Sequence, residues 1–217
     1  PSRPPLPSNS GQSQALRRRG VVLVRQYVVL QFSLQKGTIM TVTWDKPKEL
    51  GWARVDVSAL AADVATKLGF VLGGPIEPIV ERMGGQIVYG ELAEGDLESG
   101  SISIEPGKFT INIPLNTSPQ RDRFTIAHEL GHFVLHYLLQ NNKREADNKI
   151  THMRARRFGS DRTEHEANWF AASFLMPSQA FIDIYKELDQ DIAKVAERFG
   201  VSESAAGVRA RSLNLIP

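Results

Sequence analysis

The chain contains no cysteine. That removes disulfides, thiolate metal sites and cysteine nucleophiles together, so any metal has to be held by histidine and carboxylate, and it fits a cytoplasmic protein. Long hydrophobic runs are missing too. The best candidate, Val21 to Leu34, carries Arg25, Gln26 and Gln31 and falls short of the roughly 20 apolar residues a membrane-spanning helix needs. The sequence also lacks a Gly-x-Ser-x-Gly nucleophile elbow, a Gly-x-x-x-x-Gly-Lys phosphate loop and a dinucleotide fingerprint. Acidic residues are absent from residues 1–39, which hold 6 of the 26 Lys and Arg; the remainder carries 20 basic against 24 acidic residues, a net charge of −4. The pI near 9.0 therefore describes the leader and is no sign of a general affinity for nucleic acid.

Residues 1–39 pass from a Pro, Ser and Gln-rich stretch into an apolar, β-prone one, and Met40 opens a more ordinary mixed-charge sequence. We expect 1–39 to be a disordered or non-native extension. An organellar transit peptide and a polar tail leading into an edge strand are the alternatives. With 217 residues and 41% hydrophobic content, the rest suits one substantial domain with a real core.

The most informative stretch is RFTIAHELGHFVLH, residues 123–136. His128 and His132 stand at i and i+4, on one helical face about one turn apart, where two imidazoles can grip one ion. Glu129 is rotated about 100° from His128 and reaches the rim of such a site, where a general base belongs. The flanking Leu130, Phe133, Val134, Leu135 and Leu138 predict a buried helix from about Pro119 to Leu139, capped by Thr117 or Ser118. Gly131 has no side chain and permits a neighbouring backbone to approach. A satisfied pair of core histidines is the bland alternative.

Two histidines do not complete a zinc site; a third protein ligand is required. On a straight helix His136 lies about 12 Å along the axis from His128, too far to share an ion bonded at about 2 Å, which points to a supporting role. The second candidate segment is RTEHEANWFAASFLMP, residues 162–177, a helix with Glu164 and Glu166 in its first turn. These two are about 200° apart around the axis, so at most one faces the metal helix. Thr163-x-x-Glu166 also fits a capping box, in which Glu166 would bond backbone instead. Spacing alone leaves these open.

Elsewhere the periodicity predicts a helix over Ala59 to Leu68 with Ser58 as cap, and a short helix over Pro75 to Met83. Strands are predicted over Gln86 to Leu92, Gly100 to Glu105 and Phe109 to Pro114, with a hairpin at Pro106-Gly107-Lys108. An edge strand of the sheet could hold a peptide as an added strand. Gln140 to Arg162 reads as a long polar connection with 7 basic and 3 acidic residues, a lid or a solvated loop. Asp189 to Leu215 has helix-turn-helix spacing around Gly200-Val201-Ser202, but its 4 basic and 4 acidic residues up to Pro217 sum to zero, against the basic face a groove-reading helix needs.

RDRFTIAHELGHFVLH followed some thirty residues later by EHEANWFAASFLMP resembles the ImmA/IrrE family of zinc metallopeptidases, more weakly from about Ala59 to Leu215. The resemblance implies an α+β, zincin-like fold of gluzincin type: a small antiparallel β-sheet packed on helices that include the active-site helix, with a C-terminal helical pair. It divides the chain into 1–39, a zinc metallopeptidase domain over 40–188, and a helix-turn-helix-like segment packed on it over 189–217. It implies one zinc per chain, held by His128, His132 and Glu166 with Glu164 the fallback, and Glu129 as catalytic base. His136, Tyr137 and His152 are then possible supporting or oxyanion-donating groups. The implied function is cytoplasmic, site-specific cleavage of a helix-turn-helix transcriptional repressor, in stress response or mobile-element regulation, with no membrane partner. The alternative is a DNA-binding or toxin-antitoxin-type regulator that keeps a zinc site but cleaves little, with nucleic acid reached through 189–217.

Overall fold

The computed structural model describes residues 42–90, 100–156 and 161–217; the expected extension at 1–39 lies outside them. The described residues form seven helices and a four-stranded sheet, an α+β arrangement. Helix α1 (Arg54–Lys67) begins five residues before the expected start and buries Val57, Leu60, Ala61 and Val64. Gly69, at φ +63°, takes the left-handed turn that ends it. A short α2 (Glu77–Arg82) follows.

The strands are β1 (Gly85–Gly90), β2 (Ser101–Glu105), β3 (Lys108–Pro114) and β4 (Met153–Arg156), in the spatial order β1-β3-β2-β4. β2 and β3 form the expected hairpin, turning at Gly107 with φ +82°. The expectation of an antiparallel sheet is corrected at one edge: β1 pairs parallel with β3, from Gly85 beside Phe109 to Gly90 beside Pro114. The hairpin explains it, because β2 is the return leg between two strands that run the same way, and β1 adds to the free side of β3. β4 comes from within the stretch read as a polar connection and pairs antiparallel with β2. Its four residues, two of them arginine, give too short an alternation to read.

Helix α3 (Pro119–Gly131) is capped by Ser118, whose side chain accepts from the Arg121 N–H. It continues without a break as a π-helical segment (His132–Leu139). The long helix was legible, but its change of pitch was not. α4 (Arg162–Leu175) is capped by Asp161, which accepts from the Glu164 N–H at 3.0 Å, and not by the Thr163 of the alternative capping box. α5 (Ser178–Glu187), α6 (Ile192–Phe199) and α7 (Glu203–Ser212) complete the chain, α6 ending on Gly200 at φ +63° and α7 capped by Ser202. No described helix is long and apolar enough to cross a membrane.

One core joins these layers. Ile102 and Ile104 of β2 and Phe109, Ile111 and Ile113 of β3 turn one sheet face toward the long helix, where the Phe109 ring stacks on Phe133 at 4.2 Å between centroids. On its other side the long helix meets α4. The crossing is tight at Gly131, where an added Cβ would lie 3.1 Å from the Ala167 Cα and 3.2 Å from its carbonyl oxygen. Backbone cannot give way as a flexible side chain can, so helix separation is set by the absence of a side chain at this position. Gly131→Val is expected to cost about 1–3 kcal/mol of folding stability by overpacking, measured as a drop in the urea unfolding midpoint at unchanged slope.

Candidate metal centre

The tight crossing brings the interior face of the long helix against the first turn of α4. His128 and His132 are 0% and 1% exposed, and their Nε2 atoms face each other at 3.1 Å. Glu164 closes the group: one carboxylate oxygen lies 3.1 Å from His128 Nε2 and the other 3.2 Å from His132 Nε2. A zinc ion with bonds of about 2.0–2.1 Å in tetrahedral array has ligand atoms about 3.3 Å apart. These three donors sit close to that spacing, are all buried, and can hold a metal ion. Two imidazole nitrogens aimed at one another with a carboxylate are a donor set for a cation rather than for ordinary core packing.

The electrostatics agree with that arrangement. Burial alone would push the Glu164 carboxyl up, but hydrogen bonds from His128 and His132 and their charge outweigh it and hold Glu164 well below the usual carboxylate range. It is therefore ionised, as a metal ligand must be.

Glu166, the ligand first expected, is placed elsewhere. Its carboxylate is fully buried and accepts from His136 Nε2 at 3.1 Å, from the Leu50 and Trp52 N–H groups at 2.9 and 3.2 Å, and from Arg162 Nε at 3.4 Å. Glu164, the fallback, is the carboxylate beside the histidine pair, and Glu166 is paired with His136 instead. Position 164 rather than 166 turns toward the histidine pair, and the 200° between them aims Glu166 at the segment preceding α1. Glu166 does bond backbone, as the capping alternative foresaw, but across the structure rather than at its own helix start.

His136 does not join the three-donor group. The π-helical pitch stacks it almost directly beyond His132, and their Nδ1 atoms are 3.0 Å apart. Burial pushes the His136 pKa down, with the hydrogen bond to Glu166 opposing it. Tyr137 packs in the core, its ring stacked on Phe133 at 5.8 Å. His152 stands beside β4, edge-on to Trp44 and bonded to Thr151. Glu129 is 1% exposed, and an added Cβ on Gly100, at the entrance to β2, would lie 3.6 Å from its Oε1. Sequence reasoning missed Asn168. It lies one turn beyond Glu164, and its Oδ1 is 2.9 Å from His128 Nδ1. The i+4 spacing from a ligand was the available signal, since it puts an amide on the same face as the carboxylate.

A family model described as IrrE N-terminal-like domain, Peptidase M78, matches residues 80–211. No curated protein matches. Among solved structures, a Mycobacterium tuberculosis transcriptional regulator is similar at 20% identity and a TM-score of 0.48; the match covers 70% of this chain and 45% of that one, so the chain spans less than half of its length.

Two outcomes follow from the geometry. Asn168→Ala frees the His128 ring to rotate and is expected to weaken zinc binding about 10-fold, measured by competition with a chromophoric chelator. In metal-free protein, the depressed Glu164 pKa contributes stability that is present above its unfolded-state value of about 4.3 and is lost as pH falls below it. Glu164→Gln should therefore flatten the acid limb of stability below roughly pH 5, read from urea midpoints.

Proposed function

Since the chain belongs to the IrrE N-terminal-like peptidase family, we propose that it is a zinc-dependent endopeptidase whose metal is held by His128, His132 and Glu164. The observation that carries this is the buried convergence of three donor atoms at 3.1 to 3.2 Å beside a buried Glu129. Zinc at that position would lower the pKa of water toward about 7 and polarise a peptide carbonyl. Everything else falls to the chain's own residues. Asn168 accepts the Nδ1–H of His128 and so presents its Nε2 lone pair to the ion. Glu129, next to His128 in sequence and rotated out of the ligand set, takes the proton from water and returns it to the leaving amine. The apolar walls of the long helix and α4 keep the base and ligands desolvated, which strengthens each charge interaction.

The substrate that the resemblance implies is a helix-turn-helix repressor, cut at one site, and we carry it as part of the proposal. The rival reading, a DNA-binding regulator acting through α6 and α7, is weakened by the fate of one of the four basic residues there. Arg209 is 3% exposed and donates to the Met176 carbonyl at 2.9 Å and to Ser178 Oγ at 3.1 Å. It fastens α7 to the end of α4 instead of facing a groove, while Val195, Phe199, Ala206 and Ala210 join the core.

Incubating the zinc-loaded protein with a panel of helix-turn-helix repressors should give one discrete cleavage in the substrate among them, abolished by a chelator and restored by zinc. Glu129→Gln should retain about one zinc per chain while the cleavage rate falls by about 10²–10⁴. Loss of zinc in that variant, or cleavage that survives chelation, contradicts the assignment.

A further inference from the structure

A cavity of about 660 Å³ opens between α3, α4 and α7, beside the start of α1. Its walls are mostly apolar: Phe124 of α3, Trp169, Ala172 and Met176 of α4, and Val208 of α7, which is 56% exposed. Its charge is one-sided. Arg54, Arg121 and Arg209 line it, and no Asp or Glu among the described residues does. Arg54 and Arg121 stand exposed at the mouth, while Arg209 is buried at the back. Burial and the charge of Arg54 push the Arg209 pKa down to about 10, so it is still a cation at neutral pH, and two like charges border one space. A concave apolar volume of this size with a few charged groups is the form of a ligand site. Arginine is the cation whose planar fork matches a carboxylate.

The position of the cavity ties it to the metal centre. Phe124 and Gln120 stand about one and two turns before His128 on the long helix, and Asn168 and Ala172 about one and two turns after Glu164 on α4. The cavity thus begins at Asn168, whose Oδ1 is 2.9 Å from His128 Nδ1. From there it leads away along both helices for about 12 Å, the reach of three or four residues of extended chain.

We propose that this cavity receives the stretch of substrate polypeptide next to the cleaved bond, and that it selects a bulky apolar side chain flanked by Asp or Glu within about four residues of that bond. This rests on the peptidase reading. The apolar side chain lies against Phe124, Trp169 and Val208, and the carboxylates meet Arg54 and Arg121 at the mouth. A small amphipathic anion satisfies the charge, but a polypeptide also spans the distance from these arginines to His128.

The test uses metal-free full-length protein, in which no peptide is cleaved, and two fluorescein-labelled ten-residue peptides read by fluorescence polarisation. One alternates leucine with glutamate, the other leucine with lysine. The glutamate peptide should bind about 10-fold more tightly or better, and its affinity should fall as salt is raised. The double variant Arg54→Glu with Arg121→Glu should reverse the preference. Both substitutions fall in the first turn of a helix, where glutamate is favoured, and the second completes a capping box with Ser118. Ala172→Trp, which fills the apolar wall, should weaken the glutamate peptide about 10-fold, with folding checked by thermal unfolding.

Equal binding of the two peptides overturns the proposal, as does an unchanged preference in the charge-reversed variant. If Ala172→Trp does not fold, the charge-reversed variant decides. Two other occupants are read in the same experiment. Self-association of the wild type that Ala172→Trp abolishes identifies a second copy of this chain, and an anilinonaphthalene sulfonate dye that binds but is not displaced by the glutamate peptide identifies a small anion; either overturns the proposal. No readout uses zinc or catalysis. A protein that shows the peptide preference but cleaves nothing when zinc-loaded sinks the peptidase reading, and one that cleaves a repressor without the preference sinks only the assignment of the cavity.

Discussion

The structure depends on one costly juxtaposition: two imidazoles and a carboxylate, 0%, 1% and 6% exposed, placed nitrogen to nitrogen and nitrogen to oxygen inside an apolar wall. Uncompensated burial of such groups costs several kcal/mol each. The surrounding architecture is arranged to make it tolerable. Gly131 lets the long helix and α4 approach until His128, His132 and Glu164 come within ligand spacing. The π-helical segment turns His136 behind His132. Asn168 and Glu166 supply the acceptors that both histidine pairs require. Two imidazole nitrogens and a carboxylate within 3.1 to 3.2 Å of one another are a donor set that can hold a metal ion.

How much of this was legible in the sequence follows from which features are local. The i, i+4 pair His128 and His132 with Glu129 beside it is local, and all three lie on one buried helix. The hairpin around Gly107 and the turn at Gly200 were local too, because each depends on one glycine at positive φ. The parallel seating of β1 beside β3 was not, since strand order depends on which edge a completed hairpin leaves free. Nor was β4, too short to show a period.

The choice between Glu164 and Glu166 shows the limit most clearly. Both lie in the first turn of α4, and the resemblance favoured the second. What separates them in space is the rotation between the two positions: Glu164 faces the histidine pair, while Glu166 is held by the Leu50 and Trp52 N–H groups more than a hundred residues away. Neither partner is visible to a reading of the α4 segment alone. The exclusion of His136 as a third ligand was argued from a straight helix; the helix changes pitch there, yet His136 still turns its Nδ1 to His132 and its Nε2 to Glu166.

The account stands or falls on where the metal sits. Anomalous diffraction at the zinc absorption edge, from crystals of the zinc-loaded protein, measures that directly. The predicted result is a single peak about 2.0–2.2 Å from His128 Nε2, His132 Nε2 and a Glu164 oxygen, with Glu166 still paired to His136. A peak on Glu166, or no peak between the two histidines, would contradict it.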